Sequence, residues 1–368
     1  MRRTIGTGIV GPLTVIAGIV AVSQTKAAGP PAAIAPAITS AAEGTALGSE
    51  FTILSYNVEG LPWPVAHGRA EAAVAIGTAL RTMRSQGDQP KIVALQEAFG
   101  RAAKRIGRDA GYSYAAFGPP KALHGRAPTS QEDRDFVAAA SVWHGETIGK
   151  HVDSGLAIFS DYPILWVKRV AFPAYGCAGW DCMANKGVLA VAVRMPGSGK
   201  PVIVIDTHLN SREAARVDRL RTNYAYRRQV DTLSAFVSSV AGPDDRALIA
   251  GDFNVGHDRV RAAYIDEHLM NGNALKLAAI EYDCGFACRR LGGADPATVT
   301  TLRRAKSLVL FHADTAATLV PSGGTAGFGQ TPDGHMLSDH VGLATRFRID
   351  PVGKPRGSDQ NRPNESER

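Results

Sequence analysis

Five apolar, strand-like runs of this chain end in side chains that can hold a metal ion or move a proton. They are "SYNV" with Asn57, "ALQE" with Glu97, "DTHLN" with His208 and Asn210, "AGDFN" with Asp252 and Asn254, and "SDH" with Asp339 and His340. Each group alone is ordinary turn and cap chemistry. Together they carry more, because buried strands that deliver carboxylates to one edge would repel unless a cation lay between them. Oxygen donors from Glu and Asn suit a hard cation such as Mg2+, which keeps waters and accepts phosphate oxygens. A histidine titrating near neutral pH suits removal of a proton from an attacking water.

The elements that must position these groups alternate along the chain without a repeat. "FTILSYNV" reads as a strand, followed by the turn "EGLPWP" and a helix from about Ala70 to Arg84. "KIVALQE" is a buried strand, residues 101 to 110 a short helix, and "YSYAAFG" a further strand. "GLAIFS" and "ILWVKRVAF", joined by "DYP", read as a hairpin; so do "GVLAVAVRM" and "VIVIDTHL" around "PGSGKP". A helix fills 212 to about 240, and "RALIAGDFN", "SLVLFHAD" and "HVGLATRFRI" are the last strong strands. Strand alternation puts Asp206 on the same face as His208. Locally paired strands with long helices predict an α+β fold of two sheets face to face under helical cover. A doubly wound parallel sheet fits the two hairpins badly.

Composition is that of a folded protein: 368 residues, 45% apolar, 20% charged, net charge +7. Residues 1–27 read as a signal peptide. Arg2 and Arg3 precede an uncharged apolar run from Thr4 to Val22, with small-residue cleavage patterns at "AVS" and "TKA". The competing reading is an uncleaved membrane anchor. Residues 28–49 read as a flexible linker, 50–350 as the folded domain, and 351–368 as a disordered tail. Export favours local disulfides for the close pairs Cys177 with Cys182 and Cys284 with Cys288. Cross-pairing and a four-thiolate zinc site are the alternatives. Arg212, Arg216, Arg219, Arg221, Arg227 and Arg228 crowd one helical stretch, which is either a surface for nucleic acid or anionic lipid or a solvated face. No protein partner is inferred.

The series "SYNVEGLP", "IVALQE", "DSGLAIFSDYPI", "NKGVLAVAV", "DTHLNS", "IAGDFN", "LSDHVGL" resembles the endonuclease/exonuclease/phosphatase (deoxyribonuclease-I-like) superfamily in the family's order, across roughly residues 50 to 349. "YNVEGLP" and "GCAGWDCMANKG" are most similar to bacterial neutral sphingomyelinases. The resemblance implies a four-layer α/β/β/α sandwich of two mixed, mostly antiparallel sheets, and phosphodiester cleavage dependent on Mg2+ (or Mn2+ or Co2+). By the same resemblance, Asn57 and Glu97 hold the metal, with Asp339 beside it. Asp252 and Asn254 orient the attacking water, His208 stabilises the phosphorane or assists the leaving oxygen, and His340 is the base. Asn210 and Lys186 are assigned to the substrate, Lys186 as a point charge for phosphate, with a lysine that merely faces solvent as the alternative. Whether His340 or Asp252 takes the proton stays open.

The pattern departs from the family at one place. Members carry an aspartate on the strand before the terminal histidine, in a segment like "DYVL"; here "SLVLFHAD" has Ser307, leaving Asp314 or a water as substitutes. For a membrane-active enzyme, "FPAYGCAGWDCM" offers Tyr175, Trp180 and Met183 as an interfacial patch, and "VPSGGTAGFGQTPDGHM" only Phe328. These aromatics otherwise pack on the sheet. The expected activity is that of a secreted phosphodiesterase acting on a phospholipid at a membrane surface. A secreted nuclease binding nucleic acid and a catalytically silent binding module of the same fold are the alternatives.

Overall fold

Side-chain alternation along β1 (Ser49–Asn57) and β2 (Ile92–Gln96) decides where the catalytic candidates of the first sheet point. Ile53, Ile92 and Ala94 enter the core between the sheets, while Leu54, Val93 and Leu95 face the outer helices. Asn57 and Gln96, in step with the inward set, therefore open into the space between the sheets at the strands' ends.

The computed structural model describes residues 49–278, 306–312, 319–331 and 333–349. The readings made for residues 1–48 and 351–368, for Cys284 and Cys288, and for Asp314 lie outside these residues. The remaining strands are β3 (Tyr114–Phe117), β4 (Ala157–Ser160), β5 (Ile164–Ala171), β6 (Gly187–Val193), β7 (Val202–His208), β8 (Arg246–Asp252), β9 (Leu275–Leu277), β10 (Ser307–His312), β11 (Leu319–Phe328) and β12 (Gly342–Ile349). They form two mixed six-stranded sheets, ordered β11-β12-β1-β2-β4-β3 and β5-β6-β7-β8-β10-β9. Helices α1 (Arg69–Gln86) and α2 (Arg101–Asp109) pack through Ile76, Leu80 and Ile106 on the outside of the first sheet. Helix α3 (Gln131–Ala138) lies between β3 and β4 in the chain. Beyond β7 come α4 (Arg212–Ala215) and α5 (Arg219–Val240), and α6 (Arg259–Ile265) follows β8. Tyr226, Val230, Leu233 and Val237 of α5 join the core of the second sheet. This is the predicted α+β sandwich. No described helix is long and apolar enough to cross a membrane.

The centre of each sheet is a parallel pair, β1 with β2 and β7 with β8, and this gathers the polar ends. Asn57 lies beside Gln96 and His208 beside Asp252. All four strand ends reach the same rim of the sandwich.

Three local readings differ. The expected hairpin of β4 and β5 does not form: β4 is flanked by β2 and β3, leaving no free edge, and β5 crosses to pair with β6. The predicted hairpin of β6 and β7 does form. The arginine-rich stretch is two helices. Arg216 is left-handed (φ 54) and the Asp218 carboxylate accepts the Arg221 N–H to start α5 afresh. Strand β11 is hidden in the sequence because Pro321, Gly323 and Gly324 break its alternation and its register shifts around them.

Candidate active site

Asn57 is the link between the two sheets at this rim. Its Nδ2 donates to Glu97 Oε1 at 2.9 Å and to Asp252 Oδ2 at 3.0 Å, while its Oδ1 accepts the Glu59 N–H at 3.0 Å. Both imidazoles turn towards the same carboxylate: His208 Nε2 is 3.7 Å and His340 Nε2 3.6 Å from Asp252 Oδ2. His208 Nε2 also lies 3.9 Å from Glu97 Oε1. The structure thus brings Asn57, Glu97, His208, Asp252 and His340 together from five separate segments.

Glu97 and Asn254, the latter two residues beyond Asp252, sit in backbone conformations that cost energy. Glu97 has φ 57, and its carbonyl accepts N–H groups from Gly60 (3.0 Å) and Phe99 (2.8 Å). A Cβ at Gly60 would come within 2.4 Å of that carbonyl, so only glycine fits there. Asn254 has φ 47, held by its own N–H on Asp252 Oδ1 (3.1 Å) and its side-chain Nδ2 on the Leu209 carbonyl (3.0 Å). Left-handed non-glycine residues of this kind collect at functional sites.

A second cluster adjoins the first. Lys186 Nζ lies 2.7 Å from Asp181 Oδ1, 3.1 Å from His208 Nε2 and 3.2 Å from the Leu209 carbonyl. Asn210 Nδ2 donates to Asp181 Oδ2 at 2.8 Å. Asp181 stands in the loop closed by the Cys177–Cys182 disulfide, and Lys150 donates to the carbonyls of Cys182 and, just beyond the loop, Ala184.

Burial sets the protonation of the cluster. It pushes the Glu97 carboxyl up to about 7, opposed by the Asn57 hydrogen bond and by Lys186. Burial and the Lys186 charge push the His208 imidazole down to about 3. Burial alone would raise Asp252, but His340, His208, Asn57 and Lys186 together bring it below the usual carboxylate range. Lys186 is matched by Asp181, and among the described residues no lysine or arginine pairs with Glu97 or Asp252. Glu97 and Asp252 thus share one amide nitrogen while the nearest cation, Lys186, is already matched by Asp181, which fits a divalent metal. Among the described residues no three His, Cys, Asp or Glu side chains form a metal cage by themselves. A Mg2+ that takes one or two carboxylates and keeps its waters needs none. Ligation by Asn57 would require its amide to turn over, because its nitrogen now faces the carboxylates.

The other predicted residues stand around this cluster. The Asp339 side chain is 62% exposed, with Oδ1 3.9 Å from His340 Nε2 and its backbone N–H on Glu59 Oε2. Asn210 is fully buried and engaged with Asp181. Ser307 is buried on β10 opposite Asp252. Tyr175 and Phe328 pack inward, whereas Trp180 is exposed.

Sequence reasoning missed the supports. Arg261 is buried behind the site. It stacks on Tyr226 and donates Nη1 to the Asn210 carbonyl at 2.7 Å and to the Asn254 carbonyl at 2.9 Å. Gln229 holds the Asn210 N–H (2.6 Å) and the Gly176 carbonyl (2.6 Å). Ser338 Oγ bonds the Asn57 carbonyl at 2.7 Å and accepts the His340 N–H at 3.2 Å. Ser338, inside "LSDHVGL", and Asp181, inside "GWDCMANKG", stood in stretches that the sequence marked.

Comparison with known proteins bears on this geometry. A family model described as "Endonuclease/Exonuclease/phosphatase family" matches residues 54–341. The chain is similar in structure to sphingomyelinase C from Streptomyces griseocarneus (TM-score 0.53, 20% identity, 81% of this chain and 99% of that one). It is likewise similar to a beta toxin mutant from Staphylococcus aureus with bound magnesium ions (0.54, 18%, 81% and 99%). The human Nocturnin catalytic domain with bound sulfate gives 0.51 at 15% identity, covering 83% and 100%. At these identities the likeness is one of fold. In sequence, Nocturnin from Drosophila melanogaster is 29% identical over 206 residues, an alignment taking in 49% of this chain. The chain spans about a third of that curated relative, 31% of its length.

Proposed function

The chain belongs to the endonuclease/exonuclease/phosphatase family, and from that premise we propose that it is an exported, divalent-metal-dependent phosphodiesterase acting on a phospholipid of the sphingomyelin kind. One observation carries the reading: the Glu97 and Asp252 carboxylates, joined through Asn57, are faced by two imidazoles from distant parts of the chain.

Glu97 and a reversed Asn57 amide would hold the cation, which when bound polarises the phosphoryl oxygen and neutralises developing charge. His340 Nε2 takes the proton of the attacking water. Asp252 Oδ2, 3.6 Å away and kept ionised, stabilises the resulting imidazolium. The water oxygen bonds to phosphorus as the bond from phosphorus to the lipid oxygen breaks, and the departing oxygen takes a proton from solvent to leave as the alcohol. Lys186, steadied by Asp181, meets the negative charge that builds on the phosphoryl oxygens. Burial and the Lys186 charge hold the His208 imidazole well below its ordinary value, which favours its neutral form at neutral pH. His208 therefore orients groups by hydrogen bonding and does not serve as a proton donor. Asn210 and Asn254 hold the loops that carry Asp181 and Asp252. We assign Asp339 no metal contact, since its side chain lies at the solvent rim.

The surface supports lipid over nucleic acid. Trp63 (76% exposed), Trp143 (80%) and Trp180 stand on connections that leave the catalytic rim, and Val65 and Val142 are exposed nearby in sequence. Exposed tryptophans suit the boundary between head groups and acyl chains. The nuclease reading leaned on the arginine-rich helices, but Arg212 and Arg219 pair with Asp258, Arg221 with Glu146, and Arg228 with Glu132, Asp133 and Asp231. Few of those charges are left for a phosphate backbone. The Cys177–Cys182 bond is in keeping with export to an oxidising compartment.

Offering the purified protein sphingomyelin vesicles, plasmid DNA and a chromogenic phosphodiester, each with Mg2+ or EDTA, tests the proposal. Metal-dependent release of the phosphorylated head group is expected. Nicking of DNA without lipid turnover would favour the nuclease, and inertness on all three the silent module.

A further inference from the structure

Beneath the catalytic groups, a polar pair bridges the two sheets through an otherwise apolar interior. Gln96 Nε2 donates across the sandwich to Asp206 Oδ1 at 2.8 Å, and both side chains are completely buried. Their neighbours along the strands, Ile92, Ala94, Val202 and Val204, belong to the hydrophobic core. Gln96 immediately precedes Glu97, and Asp206 lies two residues before His208 on the same face of β7. The bridge thus sits one step below the site, tying the strand of one catalytic group to the strand of the other.

Stability gives no reason for this pair. A buried polar couple is usually no better than well-packed apolar side chains, and often worse. Gln96 Oε1 and Asp206 Oδ2, moreover, have no hydrogen-bond partner. What the pair supplies is a second directional contact between the sheets, one step inside the Asn57–Asp252 hydrogen bond at the rim, in an interior that is otherwise held by non-directional packing. We propose that Asp206 is a positioning residue: paired with Gln96, it fixes the separation of β2 and β7 and so the 3.9 Å between the Glu97 carboxylate and the His208 imidazole. This rests on reading the site as a phosphodiesterase centre, whatever its substrate.

The chemistry of the bridge is that of a neutral acid. Burial holds the Asp206 carboxyl well above the usual range, opposed only by the Gln96 amide and the Thr207 N–H, and no charged neighbour contributes. Facing it are Gln96 from β2, with Ser55 of β1 3.5 Å from the Gln96 nitrogen, and His208 further along its own strand. A neutral acid carries one O–H, the donor that the two orphaned oxygens lack. Asparagine has the same shape, accepts from Gln96 and can donate in turn. Leucine fills the space with neither function.

The test compares Asp206→Asn and Asp206→Leu with the parent protein, reading kcat and KM on a chromogenic phosphodiester and melting temperature from pH 5 to 9. Asp206→Asn is expected to keep kcat within about threefold, whereas Asp206→Leu folds but loses about 100-fold in kcat with little change in KM. A carboxyl raised in the folded state loses stability as pH climbs from its unfolded value towards its folded one. The asparagine variant should therefore gain in melting temperature over the parent as pH rises. Mg2+ affinity by calorimetry gives a readout that needs no turnover, and Asp206→Leu should weaken it by about tenfold. A leucine variant that matches the parent in kcat and Mg2+ affinity would overturn the proposal. So would an asparagine variant as impaired as the leucine one, or a melting difference flat with pH. A parent protein inert on every phosphoester would instead count against the functional reading, with the affinity comparison still deciding the bridge.

Discussion

His340 Nε2 stands 3.6 Å from Asp252 Oδ2, nearer than the 3.9 Å that separates it from its chain neighbour Asp339. The family's usual aspartate is replaced by Ser307, which lies directly across the ladder from Asp252. In this chain Asp252 is thus the carboxylate best placed to support a charged His340. His340→Ala should lower kcat by about 100- to 10,000-fold, the range for loss of a general base. Because the side chain lies at the rim of the core, the melting temperature should hardly change. Near-normal turnover of a chromogenic phosphodiester would remove His340 from the mechanism.

Glu97 gives a test that does not depend on catalysis. Its carboxyl is raised to about 7 by burial, so in metal-free protein it costs stability increasingly as pH rises from its unfolded value, near 4.5, through 7. Metal-free Glu97→Gln should therefore melt higher than the parent at pH 8 and level with it at pH 4.5. Adding Mg2+ should stabilise the parent at pH 8 and leave the variant almost unmoved. Scanning calorimetry with and without EDTA checks both signs.

Lys186 and Asp181 are both buried, so they stand or fall together. Lys186→Met strands the Asp181 carboxylate and should destabilise the fold by about 3–5 kcal/mol, as well as slowing turnover. Asp181→Asn together with Lys186→Met should recover much of the stability but not the rate. Denaturant titration beside kcat separates the two effects. Equal recovery of both would make the pair purely structural.

The rim tryptophans bear on substrate class. Trp143→Ala and Trp180→Ala should reduce hydrolysis of sphingomyelin in vesicles by about tenfold each while leaving a soluble diester within about twofold, since only bilayer docking is lost. Sedimentation with vesicles should report the same loss. Unchanged vesicle activity would argue that these side chains have another purpose.

Three catalytic candidates were legible because each ends a buried strand, where period-two alternation fixes its direction and an apolar run flags its burial. Asn57, His208 and Asp252 are of this kind. The pairing of strands was less legible. "GLAIFS" and "ILWVKRVAF" are adjacent in sequence, but nothing local records that β4 is already flanked on both sides, and the chain changes sheets at Pro163. Strand β11 was invisible because Pro321 and its glycines erase the alternation. The supporting residues were hidden for another reason. Arg261, Gln229 and Gln96 act through hydrogen bonds to segments distant in the chain, and on their own helices or strands they look like any other polar residue.

The central claim is that Glu97, Asn57, Asp252 and the two histidines form one metal-dependent phosphodiesterase centre. Its most direct test is the rate of phosphodiester hydrolysis by EDTA-stripped protein titrated with Mg2+, for the parent and for Glu97→Ala. The account predicts activity that rises from near zero to saturation in the parent and stays near zero in the variant at the same Mg2+ concentrations. A parent equally active in EDTA, or a Glu97→Ala protein that Mg2+ restores at parental affinity, would contradict it.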